Sequence, residues 1–304
     1  MNSLMKGIKP IVKTKHEGGI YCHEDPMMYL LEKGLVIQVG NGLFVLKGIL
    51  INIFNRIESI ICEITESIGA EHALVPSILS WENTQKSNYL DSFKKQALLI
   101  TSIDKSSGNC GTLHSEFEGI ASPTVCYHCF SALKDKIVDC NYAVTAISKC
   151  TRKEEGNLNN LARLTNFTMR EVVFFGTNEY CLKKLKKVMN KTIKILNSVF
   201  DLSYEIVTAS DPFFGRDSDM KRNAQLISES KYEIQALIPF NKTTISIGSV
   251  NNHGNVFFDR FNIKSREPEL KFSGCMGWGY ERILYAILAQ KGLDFTTSYY
   301  KKLL

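Results

Sequence analysis

The chain is 304 residues long, enough for about two average domains or one large one, with a sizeable core in either case. Its composition, 44% hydrophobic and 22% charged with 20 Gly and 7 Pro, excludes a disordered chain, a collagen-like repeat and a mucin-like tract. A formal charge of +6 is too small to establish nucleic-acid binding and directs attention to phosphate-rich or acidic partners.

Nine cysteines, an odd count at low density, read as thiols of a reducing compartment rather than as a disulfide framework. The first 19 residues are basic but lack the apolar stretch of a signal peptide. The run GLFVLKGILINIFNRI is broken by Lys47, Asn52 and Asn55, so no membrane span is predicted and the expected location is the cytoplasm. Neither a repeat nor a low-complexity linker divides the chain. One domain over 1–304, with 1–47 as an N-terminal extension, is the expected organisation.

Taken in chain order, Ile49, Ile53, Ile57, Ile60, Ile61 and Ile64 recur at helical spacing and predict a helix over 48–68, with Gly69 at its C-terminal stop. ALVPSIL then reads as a short strand that Pro76 confines to an edge or an interface. AVTAISKCTR (143–152) and FTMREVVFF (167–175) predict an antiparallel pair joined by the long polar loop KEEGNLNNLARLTN, expected to be mobile. CLKKLKKVMNKTIKILNSVF (181–200) predicts an amphipathic helix, KYEIQALIPF and TTISIGSV further strands, and GYERILYAILAQ a last helix. Strands without regular βαβ alternation point to an α+β fold and away from a Rossmann sheet.

The familiar nucleotide signatures are missing: there is no GxxxxGK(S/T), and no GxGxxG joins a strand to a helix. Arg152-Lys153-Glu154 ends one predicted strand and a loop leads to Arg163; this suits a bidentate phosphate contact plus a carboxylate accepting from an exocyclic amine. Taken alone, the same residues describe a solvated loop. GCMGWGYERIL sets Gly277 and Gly279 before a helix that opens with Arg282, which allows close backbone approach but is also what a plain turn looks like. Along FTMREVVFF, alternation puts Phe167, Met169, Glu171, Val173 and Phe175 on one face, so Glu171 lies among apolar neighbours and needs a cation or a metal. Cys126, Cys129, Cys140, Cys150 and Cys275 are the available sulfur donors, with small buried thiols as the plainer reading. Cys126-x-x-Cys129 has zinc-ribbon or thioredoxin-like spacing, but no second CxxC accompanies it.

A helix and a strand with an internal proline, then a strand carrying R-x-E, then G-x-G-x-E-R opening a final helix resemble motifs 1, 2 and 3 of the class II aminoacyl-tRNA synthetase catalytic domain, in that order. The passages SPTVCYHCF (122–130), KCTRKE with NFTMREVVFFG (149–176), SKYEIQ (230–235), ISIGSVNNH (245–253) and GCMGWGYERI (274–283) bring the resemblance closer to the amino acid:carrier-protein ligases, truncated homologues of the atypical archaeal-type seryl-tRNA synthetases. The likeness is looser from Gly48 to Asp91, including KSNYLDSF. It departs at Thr151, where an aromatic residue is expected, in a longer motif 2 loop, and at Trp278 and Tyr280.

The resemblance implies an antiparallel β-sheet flanked by helices and a homodimer with Pro76 near its interface. It implies one Zn²⁺ per subunit on Cys126, Glu171 and Cys275, with the substrate's amino group completing the coordination, so that Glu171 also serves substrate binding. Arg152 would hold the α-phosphate and the substrate carboxylate, and Glu154 the adenine amine. Arg163 and Leu164 would lie over a bent ATP, Lys231 and the segment Ser246, Ile247, Gly248, Ser249 would line the nucleotide site, and Arg282 would grip the γ-phosphate, with Mg²⁺ accompanying ATP. The implied reaction activates a small amino acid, glycine or alanine, as an adenylate and transfers it to the phosphopantetheine thiol of an acyl-carrier protein.

No tRNA partner is expected, since 22 residues follow Arg282 and the N-terminal stretch is short for a coiled-coil arm. The alternatives are a seryl-tRNA synthetase-like enzyme and an inactive regulatory paralogue; the presence of Arg152, Glu154, Glu171, Cys275 and Arg282 argues against the latter. The charge is uneven: 141–194 holds eleven Lys/Arg and four acidic residues, a local +7. Within it, Lys183, Lys184, Lys186, Lys187, Lys191 and Lys194 read as a solvated face, or as a surface beside the site where an acidic carrier docks.

Overall fold

The computed structural model describes residues 10–103, 113–214, 217–294 and 296. β1 (Val12–His16) is followed by α1 (Pro26–Glu32), which opens on a proline behind the Asp25 cap, and by the hairpin of β2 (Val36–Gly40) and β3 (Leu43–Leu46). α2 (Ile49–Ser67) buries Ile53, Ile57, Ile60, Ile61 and Ile64 on the predicted face. Gly69, at φ +77°, then turns the chain into β4 (Glu71–Leu74). Pro76 falls between β4 and β5 (Ile78–Ser80), where no ladder hydrogen bond is asked of it. α3 (Trp81–Ser87), α4 (Tyr89–Phe93), β6 (Leu99–Ile103), β7 (Leu113–Ala121), α5 (Cys126–Ala132) and β8 (Ile137–Val138) follow. The predicted strand pair is β9 (Tyr142–Thr151) and β10 (Asn166–Gly176), and the lysine-rich helix is α6 (Asn178–Ser198), capped by the Thr177 hydroxyl. The chain continues through β11 (Tyr204–Thr208), α7 (Ser218–Ile227), β12 (Lys231–Ile238), β13 (Thr243–Gly254), α8 (Val256–Arg260), β14 (Lys264–Ser265), β15 (Phe272–Gly279) and α9 (Tyr280–Lys291).

Eight strands form the main sheet in the order β1, β11, β12, β13, β15, β10, β9, β4; neighbours are antiparallel except the edge strand β4, which is parallel to β9. This is an α+β arrangement. Helices cover both faces of its centre, which explains why VVFF on β10 is continuously apolar. Val172 and Phe174, with Met276 and Trp278 of β15, pack against α2, α6 and α9, while Val173, Phe175 and Cys275 pack against Phe130 of α5 and Phe258 of α8. Two cores thus meet back to back across β10, and Glu171 belongs to the second.

The first face is fastened by buried charge. Arg170 donates to Glu58 of α2 and, at 3.1 Å, to Thr145 Oγ1, and the Tyr280 hydroxyl donates to the same Glu58. One carboxylate therefore joins α2, β10 and α9. The lysines of α6 are a correction: because Leu185, Val188 and Leu196 pack into the first core, that helix lies across the sheet from Glu171 and Cys275 and not beside them.

Candidate active site

Cys126, Glu171 and Cys275 come from three distant segments, and their donor atoms all lie within 4.8 Å of one another, fully enclosed. β10 presents Glu171 between Ala146 of β9 and Gly277 of β15, two residues that leave room for a carboxylate. A Cβ on Gly277 would stand 3.2 Å from Glu171 Cγ, so the glycine is part of the cradle. Cys126 begins α5, whose start is held to β9 by the Thr151 amide donating to Ser122 O at 2.8 Å. Of the CxxC pair, Cys126 turns to Glu171 and Cys275, and Cys129 packs in the second core, so the spacing produces neither a disulfide nor a two-cysteine metal knuckle.

Glu171 Oε1 accepts from the Thr124 hydroxyl and, at 3.1 Å, from the Val125 amide, while Oε2 is buried with no hydrogen bond among the described residues. A buried orphan carboxylate oxygen calls for a cation. The hydrogen bond to Cys275, and then burial, push the Cys126 thiol well above its ordinary range; the same bond lowers Cys275, which burial and Glu171 raise on balance. Two thiols and a carboxylate gathered this way fit a zinc-type ion, which would displace the thiol protons and give Oε2 a partner. Asn251 Nδ2 (3.8 Å) and His253 Nε2 (3.3 Å) flank Cys275 Sγ on one side.

Beside the trio, at the ends of β9 and β13, the arginines converge. Arg152 Nε donates to Pro123 O at 2.9 Å with its guanidinium 5.3 Å from the Phe167 ring centre. Arg163 Nε pairs with Glu154 Oε2 at 2.9 Å. Arg282, third residue of α9, donates to Ala162 O (2.8 Å) and Ser246 O (3.1 Å). Burial and then Arg152 pull the Arg282 guanidinium below its ordinary value, Glu154 and Glu233 oppose this, and Arg163 adds to it. Arg282 thus feels two further arginines, Arg152 half-buried and Arg163 exposed, an excess of positive charge suited to a polyanion.

The remaining predicted residues divide. Ser249 and Gly248 lie opposite Gly277 and Trp278 on the ladder, and Ser249 accepts from Asn251 at 3.4 Å. Ile247 is the extra residue of a bulge in β13, and its side chain enters the first core, as does that of Leu164, so both can reach a nucleotide through backbone alone. Lys231 is buried between Asp211 (2.6 Å) and Glu233 (3.1 Å), its charge already answered.

Sequence reasoning also missed Glu281. This buried carboxylate in the first turn of α9 accepts from Thr168 N (2.8 Å), Thr168 Oγ1 (2.8 Å) and Lys149 Nζ (3.0 Å), and so locks Arg282 in register with β10. Its place between Tyr280 and Arg282 in a G-x-G-x-E-R run was the available signal.

The tRNA synthetase class II core domain (G, H, P, S and T) matches residues 114–291, more than half of the chain. The chain belongs to this family. Among class II relatives, the type-2 serine–tRNA ligase of Methanopyrus kandleri is 23% identical over 290 residues, covering 84% of this chain and 54% of that protein. Amino acid–acyl-carrier-protein ligase 1 of Bradyrhizobium diazoefficiens is 24% identical over 287 residues, covering 90% of this chain and 87% of that protein. The chain thus spans about half the length of the curated seryl-tRNA ligases it matches. The solved structure of Methanopyrus kandleri seryl-tRNA synthetase with an Aquifex aeolicus tRNA superposes over 100% of this chain and 66% of its own at TM-score 0.85 and 20% identity, a likeness of class II fold. Membership makes the chain a class II synthetase-like ligase with an ATP-using core, and among the described residues no helix is long and apolar enough to cross a membrane.

Proposed function

We propose that the protein activates a small amino acid, glycine or alanine, as its adenylate and passes the aminoacyl group to the phosphopantetheine thiol of an acyl-carrier protein. The observation that carries the activation half is the enclosed Cys126, Glu171, Cys275 trio with its orphan oxygen, set against the arginine cluster. Zn²⁺ held by these three residues would supply a Lewis acid for the substrate's unprotonated amine. Arg152, which follows β9 and donates to Pro123 O beside the Glu171-bound Thr124, orients the carboxylate toward the α-phosphate. The carboxylate oxygen attacks the α-phosphorus, the bond to the bridging oxygen breaks, and pyrophosphate leaves with Mg²⁺. Arg282 meets the γ-phosphate, Glu154 accepts from the adenine amine, and Arg163 covers the nucleotide, so positioning and charge neutralisation do the chemical work. In the second step the carrier thiol sulfur attacks the carbonyl carbon, its proton passes to solvent, and AMP leaves. No enzyme nucleophile is needed.

The carrier half is supported by the Bradyrhizobium relative, matched over 87% of its own length against 54% for the Methanopyrus seryl-tRNA ligase. tRNA charging is the second reading, favoured by the several seryl-tRNA ligases at similar identity. We also propose a homodimer along the edge strand β4, where Leu74 is 94% exposed. The activation step is tested by amino-acid-dependent exchange of labelled pyrophosphate into ATP: exchange with glycine or alanine, lost in C275S, supports the reading, and exchange with none of the amino acids overturns it.

A further inference from the structure

A second set of metal-ligating side chains lies on the first face of the fold, outside the site described above. Cys62 and Glu66 are four residues apart on α2 and so share one face of the helix, and Gly69 returns the chain so that His72 on β4 comes alongside them. The sulfur, the carboxylate oxygen and the imidazole nitrogen lie within 4.8 Å of one another. Cys62 Sγ is 3.6 Å from Glu66 Oε1, and His72 Nε2 is 3.4 Å from the same oxygen. The second distance is long for a charge-assisted hydrogen bond, which closes to about 2.7–2.9 Å. Both separations leave room for an ion in place of the thiol's own hydrogen bond: zinc bond lengths and a tetrahedral angle put sulfur and oxygen about 3.6 Å apart and nitrogen and oxygen about 3.4 Å apart.

The three donors need no rearrangement of the backbone. Glu66 O accepts from the Gly69 amide at 2.8 Å, which fixes the turn, and His72 is held in ladder register with Thr145 of β9. In the single chain Cys62 is half-buried while Glu66 and His72 are exposed, so an ion can reach all three donors before β4 pairs with a second copy. We infer that Cys62, Glu66 and His72 form a divalent-cation site of zinc type that clamps the last turn of α2 to the edge strand β4. It is separate from the enclosed trio, being on the other face of the sheet, and it stands or falls without the proposed activity.

The test uses the full chain titrated with Co²⁺ and then Zn²⁺ against a chromophoric chelator, with wild type, H72A, H72C, C62S and C126S compared. The wild type is expected to take about two ions per chain, H72A and C62S about one, and H72C, which restores a ligand, about two again. C62S is expected to remove the absorption of a site with one thiolate and to leave that of a site with two. H72A is expected to keep pyrophosphate exchange and to show a smaller Zn²⁺-dependent rise in melting temperature than the wild type, because the enclosed trio still binds its ion. Equal ion counts in wild type, H72A and C62S overturn the inference. Loss of an ion in C126S but not in H72A also overturns it and leaves the enclosed site standing; loss in H72A but not in C126S upholds it and removes the enclosed one.

Discussion

Gly277→Ala tests the enclosed site through a residue that carries no donor atom. The added methyl would lie 3.2 Å from Glu171 Cγ, 3.6 Å from its Cδ and 3.7 Å from Met169 Sδ, so the first contact is too tight by a few tenths of an ångström and the carboxylate must give way. Overpacking of this kind costs about 1–3 kcal/mol in an interior. The strand itself holds, because Gly277 has no left-handed backbone to lose and its ladder partners Glu171 and Ser249 are unchanged. The effect falls on where Glu171 points: moving one ligand of a three-donor set should weaken metal binding about 10–100-fold. The assay is Zn²⁺ competition with a chelator in a C62S background, which leaves the enclosed set alone to be read, with circular dichroism to verify the fold. Gly279→Ala is the control, since its methyl would approach only Arg282, at 3.9 Å or more. If Gly277→Ala binds Zn²⁺ as tightly as Gly279→Ala does, Glu171 is not a ligand and the reasoning fails.

Glu58→Ala removes the carboxylate shared by Arg170 and Tyr280 and strands a buried guanidinium, so denaturant unfolding should report a loss of about 3 kcal/mol, at the low end for a buried pair because Glu58 is 29% exposed. His128 is buried against Ser122 Oγ at 2.8 Å and burial lowers it to about 4. Its unfolded form takes up a proton below about 6.5 while the folded form does not, so stability should fall as pH drops from about 6.5 to about 4. The full span is worth about 3 kcal/mol, and His128→Gln should flatten that part of the pH profile. Reversing charge at Lys183, Lys187 and Lys191 should leave carrier loading unchanged at low salt, because α6 packs on the sheet face opposite the trio; a large drop in loading rate would return the carrier to that helix.

Elements set by local periodicity were legible. Six isoleucines at helical spacing define α2, and the alternation around Glu171 assigned it to the face it occupies, because both patterns depend only on neighbours in the chain. What brings Cys126 to Cys275 is the pairing of β10 with β15, strands separated by residues 177–271, and no local pattern encodes that; likeness to known proteins supplied it. The inward turn of Ile247 follows from a bulge in β13 that alternation cannot foresee. Lys231 illustrates a third limit: its position on β12 was visible, but the two carboxylates that occupy it come from the segment before α7 and from its own strand. An amphipathic pattern names the inner side of α6 but not which side of the sheet receives it, and this is why its lysines were expected beside the site.

Competition between carrier proteins and tRNA for the activated amino acid separates carrier loading from tRNA charging. The Zn²⁺-loaded protein is mixed with ATP, Mg²⁺, glycine or alanine, a panel of holo acyl-carrier proteins and total tRNA, and the products are read by intact-protein mass and by acid-stable tRNA charging. A carrier heavier by one aminoacyl group is expected, sensitive to thioester cleavage by hydroxylamine, with tRNA left uncharged and the gain lost in C275S. Charged tRNA alongside unmodified carriers would contradict it.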